Sequence, residues 1–359
     1  MNTKFADTIH EKKGFSFIAQ NWAAFFLLCL IVVFSFTGKG FLSIANFQNI
    51  LHLGVIAVLM AAAETFVIIT GGIDLSIGFV MGFSSVTTGK IIQILYAAGE
   101  GLPAGECIAI AVPIVLIMSI IPGFISGILI ARYKVPPFIA TLGMWGITNG
   151  IALKISEGFP VAMLPDVLTK IGNGYVFYVK PGSGVSLFGL PPGIGNESIR
   201  EFTRLIPNSF IFIIIVVVIL WHFLKNTTFG QHTYAIGGNI DAAERAGINV
   251  QRHLVKIYIL SSFIAGLAGV FNVFQTGIGN FTPFGAMYEL FAVAAVVIGG
   301  ASLMGGKGAI FGSIIGVFLI AFLENGLLIS GVEPFYRFIA VGLLLIVAVV
   351  IDRFFPEFS

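Results

Sequence analysis

Carboxylates set inside apolar sequence are the groups of this chain best suited to chemistry, and each lacks the partner that a catalyst needs. Glu64 lies in Ala61-Ala62-Ala63-Glu64-Thr65, with no basic residue close in sequence. A carboxylate there must face protein interior or a watery cavity, protonated or hydrogen-bonded, where it either lines a solute path or serves packing alone. Asp74 stands in Gly71-Gly72-Ile73-Asp74-Leu75-Ser76-Ile77-Gly78. Gly71 and Gly72 break the incoming helix, and Asp74 or Ser76 can accept from the orphan N–H groups that open the next one. Direct contact with a ligand or ion is the other reading of Asp74. A second Gly-rich stretch, Gly299-Gly300-Ala301-Ser302-Leu303-Met304-Gly305-Gly306-Lys307-Gly308, invites comparison with a phosphate-binding loop. Such a loop needs Gly at 301 and Ser or Thr at 308, so the glycines are read instead as permitting close helix packing and a tight turn.

Asn149, Asn272, Gln275, Glu289 and Asn325 are polar groups within apolar runs, able to bond hydroxyl-rich solutes or neighbouring helices. His10, His52, His222, His232 and His253 are scattered near the ends of such runs, and Cys29 and Cys107 read as small buried hydrophobes. No nucleophile–base pair and no paired metal ligands emerge, so neither an enzyme nor a resident cofactor or metal is expected.

The elements that must hold these groups are long and apolar. Hydrophobic residues make up 57% of the chain and charged residues 10%, against roughly 25% charged in a soluble domain. So few charges cannot cover a water-facing surface, and apolar stretches of about 16 to 25 residues recur from end to end. The expected fold is all-α: a polytopic integral membrane protein of about ten transmembrane helices, residues 1–359 forming one domain with the lipid bilayer as its solvent. The spans are placed at 22–37, 50–70, 75–95, 107–132, 136–154, 209–224, 254–274, 287–301, 309–330 and 335–352. Residues 156–208 form a long external loop, rich in Gly and Pro, and 225–256 a cytoplasmic loop. Lys4, Lys12, Lys13, Arg132, Lys134, Lys225, Arg245, Arg252, Lys256, Lys307 and Arg353 then lie inside, which puts both termini in the cytoplasm. Lys39, Lys90, Lys154 and Arg337 fall outside. The net charge of +2, with no basic run interleaved with aromatics, excludes a nucleic-acid partner. Each Gly-rich break follows an apolar run ending in Val and Ile, a weak sign of two related halves in parallel orientation.

The cytoplasmic loop carries the most informative soluble piece, Asn239 followed by Asp241-Ala242-Ala243-Glu244-Arg245-Ala246-Gly247-Ile248. Asp241 makes an N-cap with Glu244 three residues later, and Gly247 a natural stop. The result is a short helix whose small Ala faces let it dock in a cleft of another protein, or else a plain amphipathic linker.

Four segments, Thr65 to Gly78, Val135 to Gly143, Thr228 to Val250 and Ala294 to Gly312, closely resemble the membrane permease subunits of bacterial ABC importers for monosaccharides of the ribose, xylose and galactose type. The resemblance covers nearly the whole chain after residue 40. It implies that Asn239 and Asp241 to Gly247 form the coupling helix on an ABC ATPase subunit, that ATP binds to that partner and not to this chain, and that an extracytoplasmic solute-binding protein delivers the sugar. It further implies a homodimer, or a pseudo-symmetric pair, in the bacterial cytoplasmic (inner) membrane. Related permeases for branched-chain amino acids usually carry Glu before Ile-Asp-Leu-Ser, where this chain has Gly72, which favours the sugar branch. Glu64, Gly71, Gly72, Asp74, Ser76, Gly299, Gly300 and Asn325 are the candidates for helix breaks or the solute path. Two other readings remain: the same assembly importing a nucleoside or a signalling furanose, and a proton-driven secondary transporter using Glu64 or Glu289.

Overall fold

The computed structural model describes residues 22–180, 184–188, 203–281 and 288–354. The N-terminal lysines Lys4, Lys12 and Lys13 lie outside them. Every apolar stretch marked in the sequence is helical: α1 (Trp22–Thr37), α2 (Ile44–Ile69), α3 (Ile77–Tyr96), α4 (Ala104–Ala131) and α5 (Pro137–Ser156) lead to the long loop. That loop holds a short helix α6 (Val167–Gly172) and strands β1 (Tyr175–Lys180), β2 (Gly184–Leu187) and β3 (Thr203–Pro207). Then come α7 (Asn208–Asn226), α8 (Thr228–Gly238), α9 (Ile240–Arg245), α10 (Val250–Thr276), α11 (Tyr288–Ile298), α12 (Ile310–Ile329) and α13 (Pro334–Phe354). Six of these helices are long and apolar enough to cross a membrane, or up to seven if the bent α2 counts as one span, while α1 and α11 are shorter apolar helices.

The bundle is helical as expected, and the strands add a small sheet confined to the long loop. They pair antiparallel in the order β2-β1-β3, with Phe177 opposite both Leu187 and Leu205. Val, Tyr and Phe alternating over Tyr175–Lys180 fit a half-buried strand better than a helix, a pattern hidden by the Gly and Pro around it.

Exposure separates a protein-facing core from an outer shell. Over their most apolar windows α3 is 78% buried and α10 61%, whereas α4, α5 and α7 are each 28% buried. The outward faces of the shell carry Ile117, Ile121, Ile147, Ile215 and Ile219, all exposed. Apolar surface on this scale is tolerable only against lipid, so the chain is a multi-pass membrane protein. Cys107 is buried as expected, but Cys29 is exposed on α1.

Helix α10 packs against α2, α3 and α4. Because lipid tails are as apolar as the helices, close packing and hydrogen bonds must supply the association. Gly123 and Gly127 of α4 accordingly sit against Tyr258 and Val255 of α10, and Ser262 Oγ accepts from the Gly123 N–H at 3.0 Å.

Candidate functional site

Two constellations emerge, one inside the bundle and one at the helix breaks beside the 225–256 loop. In the first, α2 ends at Thr70, Gly71 takes φ +78°, and the chain runs irregularly to α3. Asp74 Oδ1 accepts from the Ser76 N–H at 3.0 Å and from Ser76 Oγ at 2.6 Å, while Oδ2 accepts from Ser261 Oγ of α10 at 2.8 Å. Glu64 Oε1 accepts from the Asp74 N–H at 2.9 Å. Asp74 therefore closes an Asx turn onto the N–H of Ser76, the residue ahead of the first turn of α3, rather than capping the orphan N–H groups within that turn, and it also ties the break to α10. Ser76 makes no side-chain cap. Glu64 and Asp74 are 0% and 1% exposed, and Glu64 Oε2 and Tyr258 Oη have no hydrogen-bond partner among the described residues. A Cβ at Gly72 would stand 2.5 Å from Tyr258 Oη, so the phenol occupies the room that any side chain there would need.

The other polar candidates are dispersed. Asn272 Oδ1 accepts from Ser85 Oγ at 3.2 Å, and Gln275 Nε2 donates to the His52 carbonyl at 2.9 Å. Both bond neighbouring helices, one of the two roles open to these groups. Glu289 opens α11 facing Gly78 of α3, and its Oε2 has no partner among the described residues. Asn325 Oδ1 accepts from Asn46 Nδ2 at 2.9 Å, holding α12 to α2. Asn149 lies on α5 with its Oδ1 buried and without a partner among the described residues.

The second constellation joins segments far apart in sequence. The Gly306 N–H donates to the Ile69 carbonyl at 2.8 Å, and Tyr234 Oη of α8 donates to the Gly308 carbonyl at 2.7 Å. Gly237, at the end of α8, lies against the Ile69 carbonyl, and a Cβ there would also come within 2.5 Å of the Gly306 nitrogen. Only glycine allows three backbones to meet this closely. The break after α2, the 299–308 loop and α8 thus form one knot. Burial pushes the Tyr234 phenol above its usual range, so it stays a donor at neutral pH. Thr233 Oγ1 lies 2.9 Å from His253 Nε2, fastening α8 to α10 as well. Residues 64, 71, 72, 74, 76, 299 and 300 are legible in the sequence as polar or Gly-rich breaks, and Tyr234 and Gly237 stand in the cytoplasmic loop segment without a role assigned to them, whereas Tyr258 and Ser261 carry no local signal. The Gly237-Gly238 pair is the available signal for the knot.

Just beyond the knot lies α9. Its N-cap is Asn239, in extended conformation with Oδ1 accepting from the Ala242 N–H at 2.8 Å. Asp241, expected as the cap, instead lies in the first turn, where its charge suits the helix dipole. Gly247 ends the element at φ +85°, and the Ile248 N–H closes back on the Ala243 carbonyl at 3.0 Å. Ala243 is buried against Ile236 and Val250, whereas Asp241, Ala242, Glu244, Arg245 and Ala246 are exposed. The small faces expected to dock therefore reduce to Ala242 and Ala246, since Ala243 points into the loop's own core. Among the described residues no cluster of His, Cys, Asp and Glu could hold a metal ion.

A polytopic helical bundle, broken by glycines and carrying a short exposed helix beside those breaks, is the form of a transport permease. The chain belongs to the family described as the permease component of branched-chain amino acid transport systems, whose model matches residues 46–349. Among curated proteins it is 35% identical over 354 residues to a ribose import permease protein of Bacillus subtilis, covering 98% of this chain and 99% of that one. It is 33% identical over 342 residues to the ribose import permease protein of Haemophilus influenzae, covering 94% of each chain. A fructose import permease protein of Rhizobium meliloti is 34% identical over 328 residues, covering 91% of this chain and 83% of the relative. No solved structure matches the chain.

Proposed function

We propose that this chain is the membrane-spanning subunit of an ATP-driven importer that passes a monosaccharide from an extracytoplasmic binding protein into the cytoplasm. Two copies form the path, and ATPase subunits sit beneath them. The chain crosses the bacterial inner membrane about ten times with both termini inside. Residues 156–208 face outward and 225–256 inward. The observation that carries the reading is α9: a capped helix of six residues whose polar side is exposed and whose base is fixed to both helix breaks through α8. Such a piece is marginal alone in water and gains purpose by docking on a partner.

On this reading Asn239 and residues 241–247 contact the ATPase. Closure of the ATPases on ATP displaces α9, and the knot at Gly237 carries the displacement to the ends of α2 and α11. The bundle then shifts between outward-open and inward-open states, which requires only that ATP favour one of them. The curated relatives are named for ribose, fructose, galactose and allose, which supports a monosaccharide as the cargo.

Gentle purification of the tagged chain from its own membranes tests this. An ATPase should accompany it, with hydrolysis rising when a sugar-loaded binding protein is added. Sugar transport by the chain alone in liposomes without ATP would overturn the proposal.

A further inference from the structure

The cavity of about 290 Å³ between α2, α11, α12 and α13 is lined by neither Glu64 nor Asp74. Its wall is mostly apolar, with Gly54 and Ala57 from α2 and Phe291 from α11. Into it converge Tyr288, Glu324, Asn325 and Arg337. Three features make this more than a packing gap. The volume falls just short of the range for small-molecule sites, about 300–1,000 Å³, which suits a ligand no larger than a single sugar ring. Arg337 Nε is buried without a hydrogen-bond partner among the described residues, where a bundle should not leave a guanidinium N–H unsatisfied. Asn325 is held in position by the 2.9 Å bond from Asn46, with its amide donors still available.

We propose that this cavity is a binding site for a neutral, polyhydroxylated solute of monosaccharide size, held by Glu324, Asn325 and Arg337. Arg337 stands close enough to Glu324 to act on it electrostatically, so the lining carries both signs and little net charge. A sugar phosphate would meet Glu324 and an amine would meet Arg337. A hydroxyl both donates and accepts, and a polyol can satisfy carboxylate, amide and guanidinium together. The C–H face of a sugar ring would rest on Phe291 and Tyr288. An acyl chain would fill the apolar wall but leave Arg337 and Glu324 unsatisfied. In the proposed topology the cavity opens in the outer half of the bundle, where a delivered sugar first meets the permease.

This inference rests on the importer reading, and the experiment separates the two. Cys29 and Cys107 are replaced by Ala, and Ala321 on the cavity wall becomes Cys. The complex as isolated is placed in vesicles and treated with a small maleimide, with D-ribose, D-galactose or ribose 5-phosphate added in turn. A bound sugar at about ten times its Kd should slow labelling about tenfold, and the sugar phosphate should not. Glu324→Gln should abolish that protection. Labelling that no sugar slows, in a complex whose ATP hydrolysis does respond to the loaded binding protein, would refute the site and leave the importer reading intact. Labelling blocked in vesicles with or without sugar but free in detergent would assign the cavity to lipid and also refute it. Loss of the ATPase response in the unsubstituted complex would instead strike the importer reading.

Discussion

Gly237 and Gly238 are adjacent, yet their surroundings demand opposite responses to one methyl group. A Cβ at 237 would run into the Ile69 carbonyl and stand 2.5 Å from the Gly306 nitrogen, both backbone atoms that cannot rotate away. A Cβ at 238 would meet nothing within 4 Å. In Gly237→Ala the end of α2, the 302–308 loop and α8 must separate. Overpacking costs about 1–3 kcal/mol. Loss of the Gly306–Ile69 and Tyr234–Gly308 hydrogen bonds adds about 0.5–1.5 kcal/mol each, for a total of about 2–6 kcal/mol. Gly238→Ala should be neutral or slightly stabilising, since Ala is preferred to Gly in a helix by roughly 0.5–1 kcal/mol. Thermal unfolding of the two variants in detergent, followed by size exclusion, reads the difference directly. Under the importer reading Gly237→Ala should also uncouple ATP hydrolysis from uptake more than its loss of stability explains. Equal melting temperatures for the two variants would show that the three backbones do not meet, and the mechanical link drawn through them would fall with that.

Asp74→Ala strands the Ser76 N–H and the hydroxyls of Ser76 and Ser261, a penalty of about 1–3 kcal/mol for each buried group left unmet. That exceeds what a cap alone provides, so folded yield should drop sharply and recover in part with Asn; unchanged yield would deny the ties to α10. Asn239→Ala should cost about 0.5–2 kcal/mol through loss of the α9 cap, whereas Asp241→Ala should cost less. Hydrogen exchange over residues 239–247 distinguishes them, and equal protection in both variants would contradict the cap assignment. Tyr234→Phe removes the 2.7 Å bond to Gly308 at about 0.5–1.5 kcal/mol, measurable as a lower melting temperature with folded yield retained.

Membership of the membrane-protein class was legible in composition alone, because hydrocarbon solvent imposes long apolar helices whatever their arrangement. Every apolar stretch found by hydropathy is a helix, and the breaks at Gly71-Gly72 and Gly299-Gly300 lie where the glycines put them. The stop at Gly247 was equally local, a matter of one residue with φ above zero. The cap was not: Asn239 and Asp241 are both acceptable N-cap types, and only the extended backbone at 239 selects between them. The β-sheet was masked because its strands pair across a Gly- and Pro-rich loop, and pairing is a long-range property.

What the sequence by itself determined is therefore what depends on neighbours along the chain: solvent, helix positions, breaks and stops. What the tertiary structure alone decided is which distant groups meet. Asp74 reaches Ser261, Tyr234 reaches Gly308, and Gly237 rests on Ile69, pairs separated by many tens of residues. In lipid no hydrophobic drive ranks one helix pairing above another, so these meetings follow from shape and hydrogen bonds that no local pattern encodes. The turn of Ala243 inward and the gathering of Glu324, Asn325 and Arg337 around one cavity are of the same kind.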